Sequence, residues 1–188
     1  MRRIWFALFF FVGWNWTGVE SKESCYYISF TYTNWTDAQP RFVVNMTFSN
    51  QSGIGSITTI NEEIPMPVSR LLVVQIGGNQ PRTIYNASTK LCELQSLFNS
   101  VPLFKPAKDS FLKQGNYSFS CPLPRGTYVM SNMRVNPKNP LLSLLYQPKR
   151  SFIVKGGLFE ELPSGRISPL STYFMAGKVI KKGCGASD

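Results

Sequence analysis

Histidine does not occur anywhere in the 188 residues. Its absence removes His-based catalytic triads, HExxH metal sites and imidazole switching near neutral pH. Carboxylates are scarce as well: 10 Asp and Glu stand against 20 Lys and Arg, for a formal charge of +10. The only adjacent acidic pairs are Glu62-Glu63 and Glu160-Glu161. Neighbours on a strand point to opposite faces, so neither pair is a natural acid/base couple. Both are expected to be solvated turn charges. No GxSxG, Walker loop or GxGxxG occurs, and the four cysteines form no CxxC. Without CxxC or His a zinc site cannot be assembled, and a nucleophilic cysteine would lack its base. These absences predict a non-enzyme with no catalytic residues, metal or cofactor. The longest unbroken apolar run, residues 4–12, is nine residues, against about 20 for a membrane span.

That run follows Met1-Arg2-Arg3. A basic start and a short apolar stretch predict a secretory signal peptide over residues 1–21, cleaved between Gly18 and Ser21. The competing reading makes the run a first core strand. Residues 22–188 then form one domain, large enough for a real core. Apolar residues at 43% and charged residues at 16% give globular composition. Five Asn-X-Ser/Thr triplets, at Asn34, Asn45, Asn50, Asn86 and Asn116, lack a central proline. Behind a signal peptide each is a glycan site, and at least three are expected to be used. In an oxidising compartment Cys25, Cys92, Cys121 and Cys184 pair as two disulfides. Spacing alone leaves all three connectivities open. The mature chain is expected to be secreted and extracellular.

The middle of the chain reads mainly as strands. Phe42, Val44, Met46 and Phe48 alternate with Val43, Asn45, Thr47 and Ser49. This period of two predicts a half-buried antiparallel strand with Asn45 facing out. Residues 26–32 are rich in aromatics and predict an earlier strand. Further strands are expected at 57–60, 71–76, 127–135, 151–154 and 173–180, separated by Gly and Pro. Short strands with frequent turns predict an all-β sandwich with one or two short helices.

Leu91, Leu94, Phe98 and Val101 recur at helical spacing and predict a short helix. Ser88 or Thr89 is its expected cap, and Pro102 its end. A second short helix is expected from Pro106 to Gly115, with Phe104, Phe111 and Leu112 on its apolar side. Residues 140–146 carry four leucines between prolines and read as a core strand or as a cavity rim. The basic residues are dispersed, with no aromatic interleaving, so nucleic acid is not an expected partner. Lys178, Lys181 and Lys182 read either as a solvated strand end or as a weak contact to anionic headgroups.

Several stretches together carry a resemblance: Cys25-Tyr-Tyr, Lys90-Leu-Cys92, Ser120-Cys-Pro122 before Gly126-Thr-Tyr128, Leu162-Pro-Ser-Gly-Arg166, and Ser168-Pro-Leu-Ser-Thr-Tyr-Phe174 before Gly183-Cys184. Residues 25–184 resemble the insect CheB-type chemosensory proteins, relatives of the ganglioside-activator protein and the ML lipid-recognition proteins. The resemblance implies an immunoglobulin-like, ML-type sandwich cup that holds an apolar molecule. It implies pairing of Cys25 with Cys184 and of Cys92 with Cys121.

Two functions from different classes follow. One is a secreted binding protein for a lipid or other hydrophobic ligand in taste or pheromone response, presenting it to a sensory receptor or ion channel. The other is an extracellular receptor-accessory module with a filled core. For the first, a sandwich opens most easily where a non-strand element replaces sheet pairing. Phe98, Phe104, Phe111, Leu141, Leu142, Leu144 and Tyr146 are the expected ligand wall.

Overall fold

The computed structural model describes residues 23–50, 53–77, 80–100, 112–117 and 119–184. The expected signal peptide lies outside the described residues. Among the described residues, eight strands and two short helices are complete: β1 (Ser24–Asp37), β2 (Phe42–Ser49), β3 (Gly53–Ile60), β4 (Pro67–Ile76), β5 (Arg82–Lys90), α1 (Leu91–Ser100), β6 (Gly126–Met133), α2 (Pro140–Leu145), β7 (Ser151–Glu161) and β8 (Ile167–Gly183). A five-stranded antiparallel sheet has the order β1-β8-β7-β4-β5, and a three-stranded one the order β2-β3-β6. The fold is the all-β sandwich that the turn spacing predicts.

The two sheets face each other over one apolar cluster. Phe42 and Val44 from β2, Ile60 from β3, Tyr128 from β6 and Leu170 from β8 are buried there, with Trp35 and Leu158 packed against them. β2 has the predicted register: Phe42 and Val44 are buried and Asn45 is exposed. Polar links join the sheets at the same end. Trp35 Nε1 donates to the Val44 carbonyl at 3.2 Å, and the Val44 amide donates to Asp37 Oδ2 at 2.9 Å. Arg41, just before β2, forms a two-pronged pair with Glu160 on β7 and lies 3.2 Å from Glu62.

That pair corrects the reading of Glu160-Glu161 as solvated turn charges. Both residues belong to β7, and Glu160 is only 5% exposed. A carboxylate tolerates such a site because a guanidinium matches both of its oxygens. Arg41 is correspondingly held above its ordinary pKa, first by the hydrogen bonds to Glu160 and then by the nearby carboxylate charges.

The leucine-rich segment is a helix, which corrects its reading as a strand. Asn139 caps it, its side chain accepting from the Leu141 amide at 2.9 Å, and Pro140 occupies the first turn. A proline pre-set for the first turn, a capping Asn and leucines of high helix propensity together outweigh the short apolar run. Helix α2 covers the far end of the five-stranded sheet. Leu142 packs with Phe152 and Val179 in a second cluster, and Tyr146 lies 5.4 Å from Tyr26. Buried Gln75 donates to the Leu145 carbonyl at 3.0 Å, satisfying one of the free carbonyls at the helix end.

Helix α1 forms where the stripe predicts it, with Leu91 and Leu94 half-buried, while the Phe98 side chain, Val101 and Pro102 lie outside the described residues; Ser88 and Thr89 do not cap it. They are paired residues of β5, opposite Arg70 and Ser69, and the chain passes from strand to helix without a break. Strand β5 itself is not among the strands read from the sequence. Of the second expected helix only its end is described: Leu112 and Lys113 are helical, while Gly115 bridges to Met130. The disulfides are Cys25–Cys184 and Cys92–Cys121, the pairing the resemblance implies. Cys25–Cys184 ties the start of β1 to the residue after β8. Cys92–Cys121 fastens α1 to the segment before β6. Among the described residues no helix is long and apolar enough to cross a membrane.

Candidate functional site

Between the sheets lies a cavity of about 280 Å³. Its described wall draws on β2 (Met46, Phe48), β3 (Ile54, Ser56, Thr58), β6 (Met130, Met133) and β8 (Met175), with Leu91, Tyr117 and Phe119 at the side of α1. These residues meet because each strand offers every second side chain to the gap. Methionines form much of the wall, and their unbranched thioethers adapt to irregular contents.

Ser69 and Tyr173 also line it, and a hydroxyl cluster interrupts the apolar lining on β3. The Tyr117 hydroxyl lies 2.6 Å from Thr58 Oγ1 and 3.0 Å from Ser56 Oγ. The backbone explains why two hydroxyls are buried here. Strand β3 turns Ser56, Thr58 and Ile60 inward and leaves Ile57 53% exposed. Tyr117 satisfies the hydroxyls that this register buries. Its ring stacks on Tyr128, centroids 5.6 Å apart, and the Tyr128 hydroxyl donates to the Pro124 carbonyl at 2.8 Å. Burial pushes the phenols of Tyr128 and Tyr173 upward, so both stay neutral donors at working pH. The site offers apolar contact and hydroxyl hydrogen bonds, and no described charged side chain lines it.

The expected ligand wall is dispersed. Phe104, Phe111 and the Phe98 side chain lie outside the described residues. Leu142 belongs to the core under α2, Leu141 is half-buried, and Leu144 is 62% exposed. Tyr146 packs on Tyr26. None of Leu141, Leu142, Leu144 and Tyr146 lines the cavity. Ser56, Thr58 and Tyr117 were not legible as site residues: Ser and Thr in a strand signal an outward face, and Tyr117 stands inside a glycosylation triplet.

All five sequon asparagines, Asn34, Asn45, Asn50, Asn86 and Asn116, are exposed. Asn116 is engaged as well, accepting from the Val129 amide at 2.6 Å and donating to the Thr127 carbonyl at 3.2 Å. The basic residues Lys178 and Lys181 are exposed near the end of β8, and Lys182 lies 5.9 Å from the Tyr27 ring.

Residues 68–152 match a family model described as a protein of unknown function, DUF1091. The match runs from β4 through α1, β6 and α2 to the start of β7. No curated protein gives a significant match.

Proposed function

We propose that this protein is a secreted carrier of a small hydrophobic ligand, held between its two sheets and delivered to a sensory receptor or ion channel in chemosensation. The observation that carries the reading is the cavity: about 280 Å³ lined by Met, Phe, Ile and Leu, with one hydroxyl cluster on its wall. An unfilled space of that size in a close-packed interior is expensive, because its lining forgoes dispersion contacts. An apolar guest restores them and leaves water, at about 25 cal/mol per Å² of apolar area buried. Allowing roughly 30 Å³ per methylene-sized group, about the share of one water in the liquid, the space takes a guest of roughly nine heavy atoms. Tyr117, Ser56 and Thr58 would hold its hydroxyl or carbonyl.

Two further observations support the reading. Two disulfides suit a chain folded in an oxidising compartment. The resemblance to CheB-type and ganglioside-activator proteins gives the same architecture and the same use. On this reading the protein binds and presents, and performs no catalysis. Lys178, Lys181 and Lys182 would add a weak contact to an anionic membrane surface.

The receptor-accessory reading has its own observation: about 280 Å³ falls just below the roughly 300–1,000 Å³ of ligand pockets. One experiment separates the two. The protein secreted from insect cells is examined by native mass spectrometry for a bound apolar molecule and then titrated with a medium-chain fluorescent fatty alcohol. Binding should be saturable and should be lost in Met175→Trp, which fills the cavity. A wild type that carries nothing and takes up no probe would establish the accessory reading instead.

A further inference from the structure

The outer face of the five-stranded sheet carries two apolar side chains, Phe174 and Leu72, set among polar ones. One cross-strand row passes through all five strands: Asn34 pairs with Phe174, Phe174 with Lys155, Lys155 with Leu72, and Leu72 with Asn86. Directly opposed residues share a face, so these five side chains form one line across the sheet. The adjacent line on the same face is Thr36, Thr172, Gly157, Arg70 and Ser88. Gly157 itself is buried against the β8 backbone, where an added Cβ would meet the Ser171 carbonyl oxygen at 2.1 Å. A groove of about 650 Å³ lies over the two lines.

Both ends of this groove are sequons. Asn34 with Thr36 stands on edge strand β1, and Asn86 with Ser88 on edge strand β5. In a strand the Asn and the hydroxyl two residues later point the same way, so both triplets present their acceptor nitrogen to the outer face. Both asparagines are exposed. They stand four strand spacings apart, roughly 19 Å at about 4.8 Å each. An oligosaccharide rooted at either end needs to cross only about half that span to reach the middle.

The middle of the groove suits sugar. Phe174 is held edge-on to Tyr32, with ring centroids 5.7 Å apart, and Lys155 Nζ lies 5.7 Å from its centroid. The Arg70 guanidinium lies over Phe159 at 5.0 Å. Neither cation has a carboxylate at ion-pair distance among the described residues. Aromatic and leucine surface accepts the C–H face of a pyranose, and the cations, balanced against rings, keep N–H donors for its hydroxyls.

We propose that N-linked glycans on Asn34 and Asn86 fold inward from opposite edges and roof this groove. They shield Phe174 and Leu72 and close this face to a second copy of the chain. The inference rests on the secretory reading above but not on ligand binding. Three arms test it on the full chain secreted from insect cells. Glycopeptide mass spectrometry should find both sites occupied. Trimming the folded protein to single sugars with an endoglycosidase should raise binding of an apolar dye and shift sedimentation from monomer towards dimer. The double variant Asn34→Gln/Asn86→Gln should behave like the trimmed protein, whereas Asn45→Gln/Asn50→Gln should not. Adding Leu72→Thr and Phe174→Thr to the first double should restore low dye binding. If the unsubstituted double is not secreted, the trimming arm decides. The proposal is overturned if Asn34 or Asn86 is bare while other sequons are occupied, if the two doubles behave alike, or if the fully glycosylated protein already dimerises through this face. Absence of sugar at all five sequons would overturn the secretory reading with it.

Discussion

The Arg41–Glu160 pair should respond very unequally to loss of one partner or the other. Glu160 is 5% exposed, whereas the Arg41 side chain is 31% exposed and keeps Glu62 at 3.2 Å and the Glu63 carbonyl at 3.3 Å. Arg41→Met leaves a carboxylate charged and unpaired inside the sandwich. Stranding one partner of a buried pair costs about 3–5 kcal/mol. Glu160→Gln leaves a guanidinium that still reaches water, a carboxylate and a carbonyl, and it retains an amide oxygen to accept one bond. The cost there is about 1–2 kcal/mol, near that of a lost charged hydrogen bond. For a domain of this size each kcal/mol moves Tm by about 2–4 °C. The expected falls are therefore roughly 6–20 °C for Arg41→Met and roughly 2–8 °C for Glu160→Gln.

Calorimetry or urea unfolding of the purified protein measures both. The pH dependence adds a second test. Arg41 is raised above its ordinary value by Glu160. Its contribution is fully present below the unfolded guanidinium pKa and disappears only in strong alkali, so it is constant over the working range. Equal losses in the two variants, or a contribution of Arg41 that drops within the working range, would refute the assignment of the pair as a buried link between sheets.

The remaining predictions concern covalent links, a close approach and the hydroxyl cluster. Cys25→Ser/Cys184→Ser opens a separation of 159 residues and Cys92→Ser/Cys121→Ser one of 29; loop-closure entropy puts the losses at about 5 and about 3.6 kcal/mol, so denaturant midpoints should fall further for the first. At Gly156 an added Cβ would stand 2.5 Å from Tyr173 Oη and 2.7 Å from the Arg70 carbonyl. Gly156→Ala should therefore cost about 1–3 kcal/mol in thermal unfolding, and a neutral outcome would mean that the Tyr173 ring is not seated over that strand. Tyr117→Phe leaves the Ser56 and Thr58 hydroxyls without their partner; urea unfolding should show a loss of about 1–3 kcal/mol. The same variant should bind a fatty alcohol more weakly and the matching alkane unchanged.

How far the sequence disclosed this molecule depends on how each residue meets its surroundings. Strand β2 was legible in full because Phe42, Val44, Met46 and Phe48 alternate with Val43, Asn45, Thr47 and Ser49, a mostly polar set, and one buried face sets such a register. Strand β3 was legible as a strand but not by face, because its two sets, Ile54/Ser56/Thr58/Ile60 and Gly55/Ile57/Thr59, are equally mixed. A tyrosine about 60 residues away decides which set is buried. Strand β5 escaped because Thr83, Asn86, Ser88 and Lys90 read as loop chemistry. An edge strand with a solvent face is free to carry them, and its pairing to β4 is invisible locally. Glu160 was misread for a related reason. Buried acids are rare, and only the fold brings Arg41, 119 residues distant, against it.

The candidate site follows the same rule. A cavity wall and a core use the same residue types, so the leucines of 140–146 could be assigned to either; Leu142 and Leu145 went to the core under α2, while Leu144 faces solvent. What turns the space between the sheets into a site is the place where packing is interrupted. Ser56 and Thr58 point into that space from β3, and Tyr117 meets them from the chain before β6. A filled core would bury carbon at those positions at lower cost than two hydroxyls that depend on one phenol for their bonds. On the carrier reading proposed above, the polar set is retained, where apolar residues would pack more cheaply, to meet a guest with a polar end. It also predicts that Ser56→Ala/Thr58→Val/Tyr117→Phe, which removes all three hydroxyls together, should recover much of the stability lost in Tyr117→Phe alone, because no polar atom is then left stranded. The triple variant should still lose selectivity for an alcohol over an alkane. Recovery of stability with selectivity unchanged would show the hydroxyls to be a core network with no part in binding.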